Sequence, residues 1–432
     1  MRKVYALEVI VLLLSFSFSE SYGQTTIDAE IRPRSEYRSG FNLPLPDPLK
    51  SALINMQRTR LNFNYKAGIV SARIILQDSR LFGETDTKQP ATAITGSIGV
   101  YEAWTELLLF SGTSFKIGRQ GVQFEDGRLF SLSPWSNTGN SHDLAQIRYF
   151  APGLDIQLGY ANNNQKAYNA DSSFYNVSKM YKELAFLHLT KTFVNGLDVS
   201  ILAVEEGFMK SKTNLDLYHR YTTGGTLQLK NDKMPLGFLV TGYYQFGKSA
   251  PTVDLNAYLL AIKATYTITD KIGGLIGADY YSGSASTLTA TETNTFNKLP
   301  YGTNHSFNGY MEYWGTLPKG GLINYFGGVN LKFSKKLSSD ITYYAFSLAK
   351  DMKVGTSDVQ KNIGSEIDVA LNYKFSAETA VQFAWCGYLV TDGTNMLKYK
   401  STTIDTKFPQ YAYLILTIKP QLYKTPVVIE NK

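Results

Sequence analysis

Seven basic or acidic residues stand two apart or at matching positions of separate segments, and their chemistry is ionic rather than catalytic. Arg58 and Arg60 share one parity with Asn62, Asn64 and Lys66, while Leu61, Phe63 and Tyr65 take the other. Glu366 and Asp368 repeat the arrangement against Ile367, Val369 and Leu371. Side chains two apart on a strand point the same way, about 7 Å apart along it. Guanidinium groups in such a row stay charged at any physiological pH and match carboxylates in a bidentate fork. Arg73, Arg148 and Arg220 fall on the polar parity of further segments, with Glu102, Glu106, Asp155 and Asp279 as counter-charges. Together Arg58, Arg60, Arg73, Arg148, Arg220, Glu366 and Asp368 form the candidate substrate conduit. A wall of arginines inside a low-dielectric channel favours anions.

Catalytic chemistry finds little support. The four histidines, His142, His188, His219 and His305, have no metal-ligand spacing, and no Gly-x-Ser-x-Gly or His-Glu-x-x-His motif occurs. A single cysteine, Cys386, excludes a disulfide framework and a cysteine metal site. No catalytic residue, metal or cofactor is expected, although a Ser–His pair across the wall is a conceivable enzyme. The formal charge of +7 does not point to nucleic acid, because no aromatic-basic binding module accompanies it.

Elements with a two-residue period must carry these groups. Short turns at 66–68, 111–113, 151–153, 194–196, 231–235, 269–271, 334–336 and 376–378 alternate with long loops at 40–52, 79–97, 121–141, 162–178, 206–216, 247–253, 283–320, 350–361 and 391–407. Eight turns and nine loops join eighteen strands. An even strand number with turns on one side and long loops on the other predicts an all-β transmembrane antiparallel barrel, with short periplasmic turns and long extracellular loops. The start, Met1-Arg2-Lys3 with an apolar run to Phe18 and Ser21-Tyr22-Gly23, reads as a signal peptide over residues 1–23. Residues 24–432 read as one barrel domain in the outer membrane of a Gram-negative bacterium. The 30 tyrosines and 24 phenylalanines suit aromatic girdles.

Leu61, Phe63, Ile74, Leu107, Ile156, Leu158, Ile201, Leu260, Val369, Leu371, Phe383 and Trp385 are expected to meet lipid, and their sequence neighbours water. The aromatic segment Pro300 to Tyr313 stays in the 283–320 loop, since a nineteenth strand would break the alternation. Phe408 to Lys419 is the expected last strand, and Gln421 to Lys432 has no assigned role.

The stretch Ile117-Gly118-Arg119-Gln120, Phe124-Glu125-Asp126-Gly127-Arg128-Leu129, Trp135-Ser136-Asn137-Thr138-Gly139 and Asp143 resembles the alginate export family of outer-membrane barrels. Its aromatic-rich style is similar to versions from Bacteroidetes-type bacteria. Segments 243–248, 279–283 and 364–368 add to the resemblance. It implies an eighteen-stranded barrel passing an anionic poly- or oligosaccharide, with a periplasmic export partner as a further possible contact. Glu125 stands where the family has glycine, and Asn140 and His142 stand where a basic and an aromatic residue are usual, so this loop is less cationic. For the constriction-loop residues Asp126, Arg128, Trp135 and Asn137 two readings remain: they lock the loop over the barrel mouth, or they line the passage. Rival functions are a non-conducting barrel that binds at the surface, and a general porin without anion preference.

Overall fold

The structure, a computed structural model, describes residues 23–83, 98–175, 181–194, 196–230, 234–303, 305 and 307–426. The leader segment, apart from Gly23, and the centre of the 79–97 loop lie outside them. Eighteen strands form one closed antiparallel barrel. They are β1 (Gln24–Ser39), β2 (Ala52–Ala67), β3 (Val70–Leu81), β4 (Gly99–Phe110), β5 (Thr113–Gln120) and β6 (His142–Ala151). Next come β7 (Leu154–Asn162), β8 (Glu183–Thr192), β9 (Leu197–Met209), β10 (Leu217–Leu229), β11 (Leu236–Ala250) and β12 (Val253–Thr269). The last six are β13 (Ile272–Tyr281), β14 (Leu322–Lys332), β15 (Leu337–Ser347), β16 (Asn362–Lys374), β17 (Thr379–Leu389) and β18 (Gln410–Ile418).

Every strand pairs with its sequence neighbour, and β1 closes the ring against β18 from Ser39↔Gln410 to Ile31↔Ile418. Closure leaves no open edge, so each strand finds backbone partners on both sides. Gln421–Lys424 continues β18 past Pro420 and pairs with β1 at Thr26↔Lys424. The stretch without an assigned role is therefore partly wall, because Pro420 interrupts the ladder without ending it. Among the described residues no helix is long and apolar enough to cross a membrane. One short helix, α1 (Asp392–Tyr399), sits in the last loop behind a Thr391 capping box.

Two connections are shorter than the sequence suggests. β11 and β12 run on to leave only Pro251 and Thr252 between them, and β9 extends to Met209. Polar residues such as Lys248 and Asp254 stay in the ladder there, held as an ion pair at 2.7 Å. Residues 283–320 add no full strand to the wall, only the short parallel pairing of Glu292–Thr293 with Asp254 and Leu255 of β12, and the alternation is preserved.

The outer parity is as expected: Ile74, Leu158, Ile201, Leu260, Leu371 and Phe383 are exposed, and in a barrel that surface faces lipid. The inner parity departs from expectation. Leu202, Ala257, Leu259, Ala370, Ala384 and Cys386 point inward and are buried, not wetted. They pack against Val122, Phe124, Phe130, Phe296, Leu299, Met311, Tyr313 and Trp314 of two loops. The loops 121–141 and 283–320 thus fold into the barrel and build an apolar core on its loop side. An alternating strand pattern cannot register this, because a small or apolar inward residue looks the same whether its cover is water or a loop.

Candidate functional site

The 121–141 loop is held by arginines on β1 and β2 whose side chains meet backbone carbonyls. Arg32 donates to Pro134 O, to Trp135 O at 3.1 Å, to Ser136 O at 2.8 Å and to Asn137 Oδ1 at 3.3 Å. Arg34 donates to Trp135 O at 2.8 Å, and Arg58 to Ser136 O at 2.8 Å. Arg60 reaches Thr138 O at 3.4 Å and lies 3.7 Å over the Tyr101 ring. Arg58 is also ion-paired with Glu30 at 2.6 Å and is only 3% exposed. Arg58 and Arg60, expected as bare conduit walls, therefore work here as loop clamps. Arg32 and Arg34 were absent from the expected set, yet Asp28, Glu30, Arg32, Arg34, Glu36 and Arg38 alternate without a break and announce an inward charged face.

Arg128 anchors the same loop on the other side. It contacts Asp126 at 3.3 Å and Asp279 on β13 at 3.1 Å, and donates to the Tyr281 hydroxyl at 2.8 Å. Burial works against its charge, but Asp279 and the neighbouring groups outweigh it and hold its pKa well above the ordinary value. Of the two nearby loop carboxylates, Asp126 and Asp143, Asp126 is the one Arg128 contacts. Asp143 instead pairs with Arg119 at 2.8 Å. Trp135 stacks on His305 with ring centres 3.7 Å apart and takes the Arg34 guanidinium at 4.5 Å on its face. All four loop residues, Asp126, Arg128, Trp135 and Asn137, make side-chain contacts to the wall or within the loops. Glu125 adopts φ 44°, a left-handed conformation that favours glycine, and its carboxylate meets His188 Nε2 at 2.6 Å.

The 283–320 loop is tied by acids. Glu366 accepts from Met311 N at 2.7 Å and Asp368 from Tyr310 N at 2.9 Å, both carboxylates being buried. Arg220 forms a two-pronged pair with Glu206, 2.7 Å for each prong, and Tyr301 donates its hydroxyl to the same Glu206. Burial raises the Tyr301 pKa well above its usual value, with Glu206 adding to it. The two loops join directly: Ser131 N donates to Tyr301 O at 2.8 Å and Thr303 N to Gly127 O at 3.0 Å. Arg220, Glu366 and Asp368 are thus loop anchors too.

Two conduit residues keep their heads in open lumen. Arg73 bonds Asn64 Oδ1 at 2.7 Å and stands 3.8 Å from Glu102. Arg148 forks onto Asp155 at 2.9 and 2.6 Å. A cavity of ≈ 440 Å³ under the 121–125 segment is bounded by Glu106, Lys116, Gln146, Arg148, Asp155 and His188. A second, of ≈ 460 Å³, continues toward the turns past Lys66, Ser71, Glu106, Ser114 and Arg148. Glu106 and Arg148 border both, so an open part of the lumen runs along β3 to β7. Lys116 lies over the Trp104 indole at 3.9 Å on this wall. Among the described residues no group of three histidine, cysteine or acidic side chains gathers as a metal site.

This barrel with its inward loops matches the family described as Alginate export over residues 24–389. The chain belongs to the alginate export family. Solved structures similar to this member include Acinetobacter baumannii OccAB4, with 13% identity, a TM-score of 0.61 and coverage of 93% of this chain and 99% of that one. Pseudomonas aeruginosa OccK1 (OpdK) gives 12% identity, a TM-score of 0.59 and coverage of 93% and 99%. Pseudomonas aeruginosa OccK2 (OpdF), solved in complex with glucuronate, gives 12%, 0.59, and 92% and 98%. No curated protein matches the sequence. This alginate export family member is a porin-like barrel of the Gram-negative outer membrane.

Proposed function

We propose that this barrel passes an anionic saccharide or another small polar anion along the β3–β7 wall. The observation that carries the reading is the unequal exposure of opposite charges there. The Arg73 and Arg148 side chains are 43% and 44% exposed, whereas their partners Glu102 and Asp155 are 8% and 20% exposed. A solute in the lumen therefore meets cationic heads first, in a channel whose walls focus the field. The Trp104 ring carries Lys116 Nζ over its face at 3.9 Å and Arg73 at 5.8 Å, which holds both cations at this wall. Glucuronate, bound by one structural neighbour, and vanillate, bound by another, are both carboxylates and lend the substrate class support. Arg58, Arg60, Arg220, Glu366 and Asp368 act on passage by fixing the loops that narrow it. Residues 1–23 serve as the leader.

The test is the reversal potential of the purified barrel in planar bilayers across a KCl gradient. Anion preference is expected for the natural chain, with a marked shift toward cations in Arg73→Glu/Arg148→Glu. A cation-selective natural pore, or a variant with unchanged potential, overturns the proposal.

A further inference from the structure

Phe208 and Tyr218 are cross-strand partners at the loop-side end of β9 and β10, away from the β3–β7 wall. Phe208 shares the inward parity of Glu206, and Tyr218 that of Arg220. Their rings stack with centres 5.5 Å apart and planes 25° apart. Both are half-buried, and they border a cavity of ≈ 490 Å³. That volume falls in the range of small-ligand sites, roughly 300–1,000 Å³. The loops frame the cavity firmly. Phe174 N donates to the Met209 sulfur at 3.0 Å, which sets Phe174 and Tyr175 along one side. Gln245 on β11 holds another side, accepting from Asn297 N at 2.8 Å and donating to Asn297 O at 2.9 Å. Phe296 beside it is buried and completes a lining of five aromatic rings.

The polar groups at this cavity divide into engaged and open ones. Both cations are engaged. Arg220 forks onto Glu206 at 2.7 Å for each prong and lies 5.0 Å over the Phe208 ring. Lys298 Nζ donates to Trp314 O at 3.2 Å. Among the described residues no acid lines the cavity. The hydroxyls of Tyr175, Tyr218 and Thr316 and the side-chain amide of Asn297 are the open groups, with no hydrogen bond to any described residue. An apolar occupant would cover these groups and leave them without partners, which costs more than the contact returns. A carboxylate would meet no open guanidinium. What fits both halves of the lining is a ring with a C–H face for the aromatic stack, whose π faces are negative, and neutral hydroxyls at its edge.

We infer that this cavity binds a neutral pyranose, a unit of an uncharged oligosaccharide reaching the barrel from its loop side. The sugar ring packs on the Phe208–Tyr218 stack, and its hydroxyls pair with the Tyr175, Tyr218 and Thr316 hydroxyls and the Asn297 amide. The site differs from the β3–β7 wall in place and in charge, since at that wall the Arg73 and Arg148 heads are exposed. It does not depend on the anion-passage reading.

The probes are maltotriose and cellotriose, with glucuronate as the charged control, titrated into the full barrel in a sugar-free detergent. Isothermal titration calorimetry reads the affinity. At least one trisaccharide is expected to bind saturably, in the millimolar range or tighter, and glucuronate is expected not to displace it. Tyr175→Ala/Tyr218→Ala weakens that binding at least tenfold and Asn297→Ala severalfold. Tyr218→Phe, which keeps the stack and removes one hydroxyl, costs less than the alanine pair. Retained heat-modifiable gel migration shows that each variant is folded. Asn297 is exposed, so its variant keeps the test decisive if the double one misfolds. Absence of binding by both trisaccharides, or folded variants that bind like the natural chain, overturns the inference. Displacement by glucuronate at concentrations below those the trisaccharide needs overturns it as well. Neither result touches the anion passage, whose own test is the reversal potential.

Discussion

Arg128→Met removes a guanidinium from a site where its partner has no other cation. Asp279 is 2% exposed, receives Arg128 at 3.1 Å on one oxygen, and has no bonding partner on the other. Taking away one member of a buried pair strands the remaining charge and costs about 3–5 kcal/mol. The lost contacts to Asp126 and the Tyr281 hydroxyl go in the same direction. All of them join the 121–141 loop to the wall or to itself, so the cost falls on loop docking and not on the sheet. At 1.4 kcal/mol per tenfold, the undocked population rises between roughly 10²- and 10⁴-fold. Single-channel recording should show excursions to a larger conductance, and gel migration should show an intact barrel. Adding Asp279→Asn removes the stranded charge, so the double variant is expected to lose less than the sum of the two single ones. A folded Arg128→Met barrel with unchanged conductance and unchanged noise would refute the claim that this pair holds the constriction.

Leu371 faces outward and is exposed, while Asn372 faces inward and donates to Asp340 at 3.1 Å; a lysine at 371 should cost about 2–4 kcal/mol in vesicle unfolding titrations and one at 372 far less, and equal costs would reverse the face assignment. His305 is buried between the Trp135 and Tyr310 rings, and burial lowers its pKa against the opposing pull of Glu312. Its docked form takes up a proton at lower pH than its free form, so docking is fully stable above about pH 6.5 and weakens as pH falls below it; open time should rise on acidification, and His305→Phe should flatten that rise.

The wall was legible because its rules are local. Side-chain parity and turn chemistry are written within ten residues, and eighteen strands followed from sorting connections by length. Boundaries slipped only where polar residues continue a ladder beyond the bilayer, as at Lys248 and Asp254, or where Pro420 suggests an end that the hydrogen bonds to β1 bridge. Length alone cannot separate a hairpin that rises above the membrane from a loop that leaves it.

The lumen was legible in residue type and not in role. Arg58, Arg60, Arg220, Glu366 and Asp368 were placed on the correct face, yet each holds a loop instead of lining open water. For Arg58, Arg60, Glu366 and Asp368 the cause is that loop backbone supplies their partners, the carbonyls of 134–138 and the N–H groups of Tyr310 and Met311, whereas Arg220 acts through Glu206, which takes the Tyr301 hydroxyl. Any residue but proline supplies both groups, so no spacing in the sequence marks them. A side chain's charge names the class of partner it needs, and only the path of the loops decides whether that partner is a solute or the chain itself. Where loop backbone reaches the wall, at β1, β2 and β16, most of the charges are buried against it, although Arg32 Nε, Glu366 Oε2 and Asp368 Oδ1 are left without a partner. Where the loops leave lumen open, along β3–β7, the Arg73 and Arg148 heads stay exposed. On the proposed anion passage, that stretch is where a solute carboxylate would take the place of what elsewhere the protein provides for itself.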